Sequence, residues 1–172
     1  DWITKESKVR DGSGVVTTEQ RQPNPYVGIL SKLDARDRVL WSFELEGGGN
    51  FALDSQGNTY LYHNPGRANL VKLDRKGKLL WERTLDPDCI HKVLIHNDRP
   101  YIQSDNIVDW KNHYLTSFNR DGGGRWTKKL ALPSDVVLGP LLKEKTLTFY
   151  QDVSQSVFTF DYRGNLINKR RS

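Results

Sequence analysis

The sequence predicts an all-β fold assembled from repeated four-stranded units, on three observations. First, four segments align without gaps, residues 31–41, 71–81, 116–126 and 158–168. Each carries an Asp or Asn anchor (Asp34, Asp74, Asn119 and Asp161), and the anchors are spaced by 40, 45 and 42 residues. A near-constant period of that size marks a repeat architecture, in which each unit buries its faces against its neighbours. Second, offsets within the segment are shared. Trp stands seven residues after the anchor at Trp41, Trp81 and Trp126, with Asn168 in the fourth copy. Gly stands three residues after it at Gly77, Gly122 and Gly164, with Asp37 in the first. Third, no stretch keeps the helical period over ten or more residues.

Each anchor segment reads as a hairpin. Leu33, Leu73, Phe118 and Phe160 end one strand. The Asp or Asn side chain opens the turn by bonding backbone two residues on. The glycine supplies positive φ where the chain reverses. A second strand follows, clearest in Leu79-Leu80-Trp81-Glu82-Arg83-Thr84. The remainder of each period reads as a second hairpin. In the first period, residues 2–4 and 14–18 are the expected early strands, with Gln22-Pro23-Asn24-Pro25 as the loop before residues 26–30. In the second, residues 51–53 lead through Asp54-Ser55-Gln56-Gly57-Asn58 into Thr59-Tyr60-Leu61-Tyr62-His63, rich in β-prone residues. The third gives residues 93–95, a turn at 97–100, a strand at 101–103 and a longer loop through Trp110. The fourth gives residues 136–138, a turn near 143–145 and a strand at 146–150.

A period of about 40–45 residues holding four short antiparallel strands has the size of a β-propeller blade. The expected architecture is therefore a β-propeller segment of about four four-stranded antiparallel blades, approximately 1–46, 47–87, 88–131 and 132–172. Four blades leave closure open: a part of a larger ring, two copies completing one ring, or closure by this chain alone.

The pattern apolar–Leu/Phe–Asp/Asn–x–x–Gly–x–x–x–Trp resembles the PQQ-like, or quinoprotein-like, propeller repeat, over nearly the whole chain. The resemblance implies that Trp41, Trp81 and Trp126 dock between neighbouring blades, while Asn168 breaks the pattern. Asp34, Asp74, Asn119, Asp161, Gly77, Gly122 and Gly164 are its structural turn positions. Dehydrogenases of that family seat a quinone against a vicinal disulfide and a Trp platform, with calcium held by acidic and amide side chains. Cys89 is the sole cysteine here, so the disulfide feature is missing and no cofactor is expected. Family members without it are often scaffolds or receptors, commonly periplasmic or at the cell surface. An extracytoplasmic location is the matching expectation.

Other motifs read as structure. His91 and His96 lie five apart on one strand and so point to opposite faces. No Asp-x-Asp-x-Asp-Gly calcium loop occurs, and no metal site is expected. The triplets Gly47–49 and Gly122–124 lack the Lys-Ser/Thr ending of a phosphate-binding loop. No catalytic residue is assigned. The variable loop through Trp110 supplies the binding candidates Trp110, Asp109, His113 and Tyr114, because rigid scaffolds tend to carry binding residues on loops. Trp110 either packs back on its blade or stands out as an interface anchor.

Composition sets the outer limits. No apolar run nears the ~18 residues of a membrane helix. Five Trp and 10% aromatic residues give enough apolar surface for a packed core. The net charge of +5 is scattered, and its densest run, Lys169-Arg170-Arg171, lies near the chain end, so charge alone does not indicate a nucleic-acid partner. A chain with no methionine and no leader is expected to be a processed product or an excerpt. The expected function is a non-enzymatic module that presents loops to another protein, that partner being a separate protein, a second copy or the missing blades. The alternative is a piece of a propeller enzyme, a quinoprotein dehydrogenase or sulfotransferase type, with its active groups in blades outside the chain.

Overall fold

A computed structural model describes residues 7–11, 14–21, 27–46, 49–63, 68–85, 89–106, 112–133, 137–151 and 155–171. Among these residues there are sixteen strands and no helix. They form four separate antiparallel sheets, each a simple meander in chain order. The chain divides into two compact units, Asp1–Pro87 and Asp88–Ser172, with two sheets in each.

In the first unit, β1 (Ser7–Asp11), β2 (Gly14–Arg21), β3 (Val27–Leu33) and β4 (Val39–Glu46) form one sheet. The second sheet holds β5 (Gly49–Leu53), β6 (Thr59–His63), β7 (Asn69–Leu73) and β8 (Leu79–Thr84). The expected strand at residues 2–4 lies outside the described residues. The strand preceding β2 is instead Ser7–Asp11, paired from Ser7↔Thr18 to Asp11↔Gly14. Its sequence, SKVRD, has one apolar residue, so hydrophobic alternation does not mark it.

In the second unit, β9 (Cys89–His96), β10 (Arg99–Asn106), β11 (His113–Ser117) and β12 (Trp126–Lys129) form the third sheet. The fourth contains β13 (Val137–Leu142), β14 (Thr146–Gln151), β15 (Ser156–Asp161) and β16 (Leu166–Arg171). β13 carries a bulge between Leu138 and Leu141, spanning Pro140. A proline fits there because β13 is an edge strand and a bulge needs no ladder donor.

The anchor hairpins share one register. Lys32↔Trp41, Lys72↔Trp81, Ser117↔Trp126 and Thr159↔Asn168 are equivalent pairs. Three turns are built alike. Asp34 Oδ1 accepts the backbone N–H groups of Arg36 (2.7 Å) and Arg38 (3.0 Å). Asp74 Oδ1 does the same for Lys76 (2.8 Å) and Lys78 (2.9 Å), and Asp161 Oδ1 for Arg163 (2.9 Å) and Asn165 (2.8 Å). The β5–β6 connection reuses the device, with Asp54 Oδ1 accepting from Gln56 and Asn58. The fourth position carries positive φ at Gly57, Gly77, Gly122 and Gly164, and at Asp37 with φ 57°.

In the second, third and fourth sheets the last strand is more exposed than the strand before it. β6 is buried at all five positions, whereas β16 is exposed at all six. The first unit's core joins its two sheets through Leu30, Leu45, Leu61, Val71 and Leu73, with Trp41, Phe43, Phe51 and Leu53 packed against them. In the second unit Leu94, Tyr101, Leu115 and Leu130 meet Leu147, Phe149, Phe158 and Phe160. Each fully buried side chain of this size contributes roughly 1.5–3 kcal/mol.

Candidate functional site

At one end of the third sheet two hairpin tips lie side by side. The β9–β10 tip is the dipeptide Asn97-Asp98, with φ of 50° and 57°. Two consecutive positive φ values make the tight primed turn that suits strand twist, and Asn and Asp are the residues that tolerate it. The β11–β12 tip is the Asn119 turn. It departs from the Asp pattern: Gly123 N–H donates to Asp121 Oδ1 (2.9 Å), and Asn119 Oδ1 accepts from Arg99 Nη2 (2.6 Å).

Two arginines tie the tips together. Arg99 Nε donates to Phe118 O (3.0 Å). Arg120 Nη2 donates to Asn97 O (3.0 Å) and pairs with Asp98 Oδ2 (3.1 Å). With His96, Asn97, Tyr101 and Asn119 they line an open cleft of about 360 Å3.

The His96 ring stacks on Tyr162, with centroids 3.7 Å apart and planes 9° apart. Its Nε2 lies 3.0 Å from Asn97 Nδ2, which is an amide donor, so the hydrogen-bond network assigns the neutral ring with its proton on Nδ1. Burial lowers the His96 pKa, and the nearby Glu144 charge opposes this only in part. Burial raises the Tyr101 phenol, against the Arg99 charge and the Ser117 hydrogen bond. Tyr162 is raised by burial and then by Tyr101, and its hydroxyl donates to Lys143 O (2.7 Å).

The binding candidates expected between β10 and β11 lie toward the opposite end of these strands in sequence. Trp110 and Asp109 fall at 107–111, outside the described residues. His113 opens β11 and is buried, with Nδ1 2.7 Å from Asp105 Oδ1 and Nε2 3.1 Å from Pro133 O. Both partners are acceptors, so both ring nitrogens are committed to fastening the loop's return to β10 and to the chain after β12. Tyr114 follows on the other face of β11, half-buried and paired with Ser104 and Lys129. His113 and Asp105 are thus brought together, which the sequence did not signal. Gln103, also buried, donates to Asp105 through Nε2 while its Oε1 has no hydrogen-bond partner among the described residues.

The repeated tryptophans are committed to packing. Trp41 lies against the next sheet's turn: a Cβ at Gly77 would stand 2.6 Å from its Cγ, and its Nε1 donates to Arg75 O (3.1 Å). Trp81 meets Tyr60 edge-on at 5.8 Å, with Arg83 over its ring at 5.6 Å. Trp126 meets Tyr101 edge-on at 6.4 Å. In the second unit the turn at Gly164 is covered instead by Lys128 and Leu130, and Lys128 Nζ also bonds Asn165 Oδ1. The residues of this chain do not fit the seat that quinoprotein dehydrogenases build for their cofactor. The chain has one cysteine, so its own residues cannot form the vicinal disulfide of that seat.

Sequence reasoning placed residues 97–100 in a turn but did not find the cleft. The available signal was an Asn-Asp tip followed directly by an arginine. What forms the site is the approach of a second tip some twenty residues away, and spacing does not reveal that.

Comparison with known proteins agrees with this architecture. Residues 27–168 match the PQQ_2 family model, described as outer membrane protein assembly factor BamB. No curated protein sequence matches. Among solved structures, a protein of unknown function from Bacteroides caccae is similar at 13% identity and TM-score 0.57, over 83% of this chain and 54% of that one. Quinohemoprotein alcohol dehydrogenase ADHIIG from Pseudomonas putida HK5 is similar at 14% identity and TM-score 0.61, over 99% of this chain and 34% of that one. These likenesses concern the fold, and the chain spans about half or less of each structure's length.

Proposed function

The chain belongs to the PQQ_2 family, described as outer membrane protein assembly factor BamB, and on that premise we propose that it is a non-enzymatic propeller scaffold, extracytoplasmic, that holds another protein. One observation carries the reading. In three of four repeats the fifth and sixth residues after the anchor are both apolar and exposed. They are Val39 and Leu40 (60% and 55%), Leu79 and Leu80 (48% and 49%), and Leu166 and Ile167 (44% and 57%). They begin the last strand of each sheet, at its edge. Edge strands are normally blunted with charge, and exposed large apolar side chains recurring at one place favour a contact surface. The third repeat has Gly124 and Arg125 there instead.

In this reading Asp109 and Trp110 from the β10–β11 connection and Tyr114 on β11 add contact groups, with His113 anchoring the start of β11. The extracytoplasmic setting is carried over from the family description, whose protein is an outer membrane assembly factor.

Photo-crosslinking from Leu80 in the native cell envelope tests the reading. A discrete adduct with one protein is expected, and its loss in a Leu79→Ser variant of unchanged melting temperature supports it. Quinone- and calcium-dependent dye reduction by the purified chain, or sulfate transfer, would overturn it in favour of a propeller enzyme.

A further inference from the structure

We propose that the cleft between the two hairpin tips of the third sheet binds a carboxylate from an acidic segment of the partner protein, with Arg99 as its principal contact. The source of the carboxylate rests on the scaffold reading; the chemistry of the cleft does not.

The charge balance around the cleft is uneven. Arg120 is neutralised by Asp98, at 3.1 Å. Arg99 spends two of its five N–H donors on Phe118 O and Asn119 Oδ1, neither of them charged. No carboxylate of the described residues lies within ion-pair distance of it. Glu144 lies near enough to act on His96, a neighbour of Arg99 in the cleft lining. Arg99 therefore lines the cleft with its own charge unpaired among the described residues and with three N–H donors left, a donor set that suits a carboxylate.

The guanidinium is also held in place before any ligand arrives. Its two bonds run to the neighbouring tip, whose position Arg120 fixes from the other direction through Asn97 O. A planar fork already immobilised loses little freedom on binding, and its remaining donors suit bidentate pairing with a carboxylate. The opening of about 360 Å3 admits an acidic side chain with adjoining backbone, and the Tyr101 and His96 rings offer it apolar walls.

The test is an NMR titration of the full chain at low salt with three probes: the capped peptide Gly-Asp-Glu-Asp-Glu-Gly, succinate and inorganic phosphate. Saturable shifts by the peptide at residues 96–101 and 119–120, weakening as salt is added, are expected. Arg99→Gln is expected to weaken the peptide about tenfold or more while far-UV circular dichroism stays unchanged. If that variant does not fold, the wild-type shift map decides alone. Shifts elsewhere, or none, overturn the proposal. Succinate or phosphate binding as tightly as the peptide overturns the acidic-segment assignment. If the Leu80 crosslink forms unchanged in Arg99→Gln, the cleft is not the partner's site although the scaffold reading stands. If no crosslink forms in wild type but the peptide maps to the cleft, the scaffold reading fails alone.

Discussion

At the residue scale, positive φ decides which substitutions the turns accept. Gly77 combines φ 83° with a Trp41 ring where a Cβ would sit, 2.6 Å from Cγ. Gly77→Ala meets strain and steric overlap together and is expected to destabilise by about 2–4 kcal/mol, read from urea midpoints. Asp37 occupies the equivalent place with φ 57°, a conformation that costs most L-residues roughly 1–2 kcal/mol and Asp somewhat less. Asp37→Gly is therefore expected to raise stability by about 0.5–1 kcal/mol. A fall in the midpoint would show that Asp37 makes a compensating interaction.

At the element scale, the anchor carboxylates tie stability to pH. The Arg38 N–H lowers the Asp34 pKa most, burial opposes it, and the Arg36 N–H and the Arg38 side chain add to the lowering. The Lys78 N–H acts first on Asp74 in the same direction, again against burial. For Asp161 burial is the largest single influence and pushes upward. The Asn165 backbone and side-chain donors, the Arg163 N–H and the Lys128 charge together outweigh it. All three are lowered on folding, so the unfolded chain binds more protons in acid. Their contribution is complete above the ordinary value of 3.8 and is lost as pH falls below it through the folded values. Urea midpoints measured from pH 6 downward should fall in that window. The fall should be shallower in an Asp34→Asn/Asp74→Asn/Asp161→Asn variant. Equal slopes would contradict the turn account.

At the scale of the whole molecule, four meanders repeat one hairpin but pack with different side chains. Trp41 closes on Gly77 in the first unit, while Lys128 and Leu130 close on Gly164 in the second. Trp41→Ala removes both a ring contact and a bond to Arg75 O. It is expected to cost about 3–4 kcal/mol, within the range for truncating a large packed aromatic. The exposed pairs behave oppositely: Leu79→Ser/Leu80→Ser leaves the core untouched and should shift stability by no more than about 0.5 kcal/mol per residue. A large loss would place those leucines in packing rather than on a contact surface.

The sequence by itself determined the all-β class, the period and the place of each anchor turn. Those features are local: Asp34 Oδ1 reaches only Arg36 and Arg38, and the glycine conformation follows from the turn it closes. It did not reveal β1, because Ser7–Asp11 is held by pairing with β2 and not by its own apolar content. Nor did it reveal that His113, expected among binding-loop residues, is buried between Asp105 and Pro133 O. The cleft was least visible of all. Arg99 reads as a residue after a turn until the sheet brings Phe118 and Asn119 beside it, and Arg120 likewise until Asn97 and Asp98 arrive. Turn chemistry acts over four or five residues and is written in sequence. The site is made by contacts about twenty residues apart, which only the antiparallel register of β9 to β12 brings together.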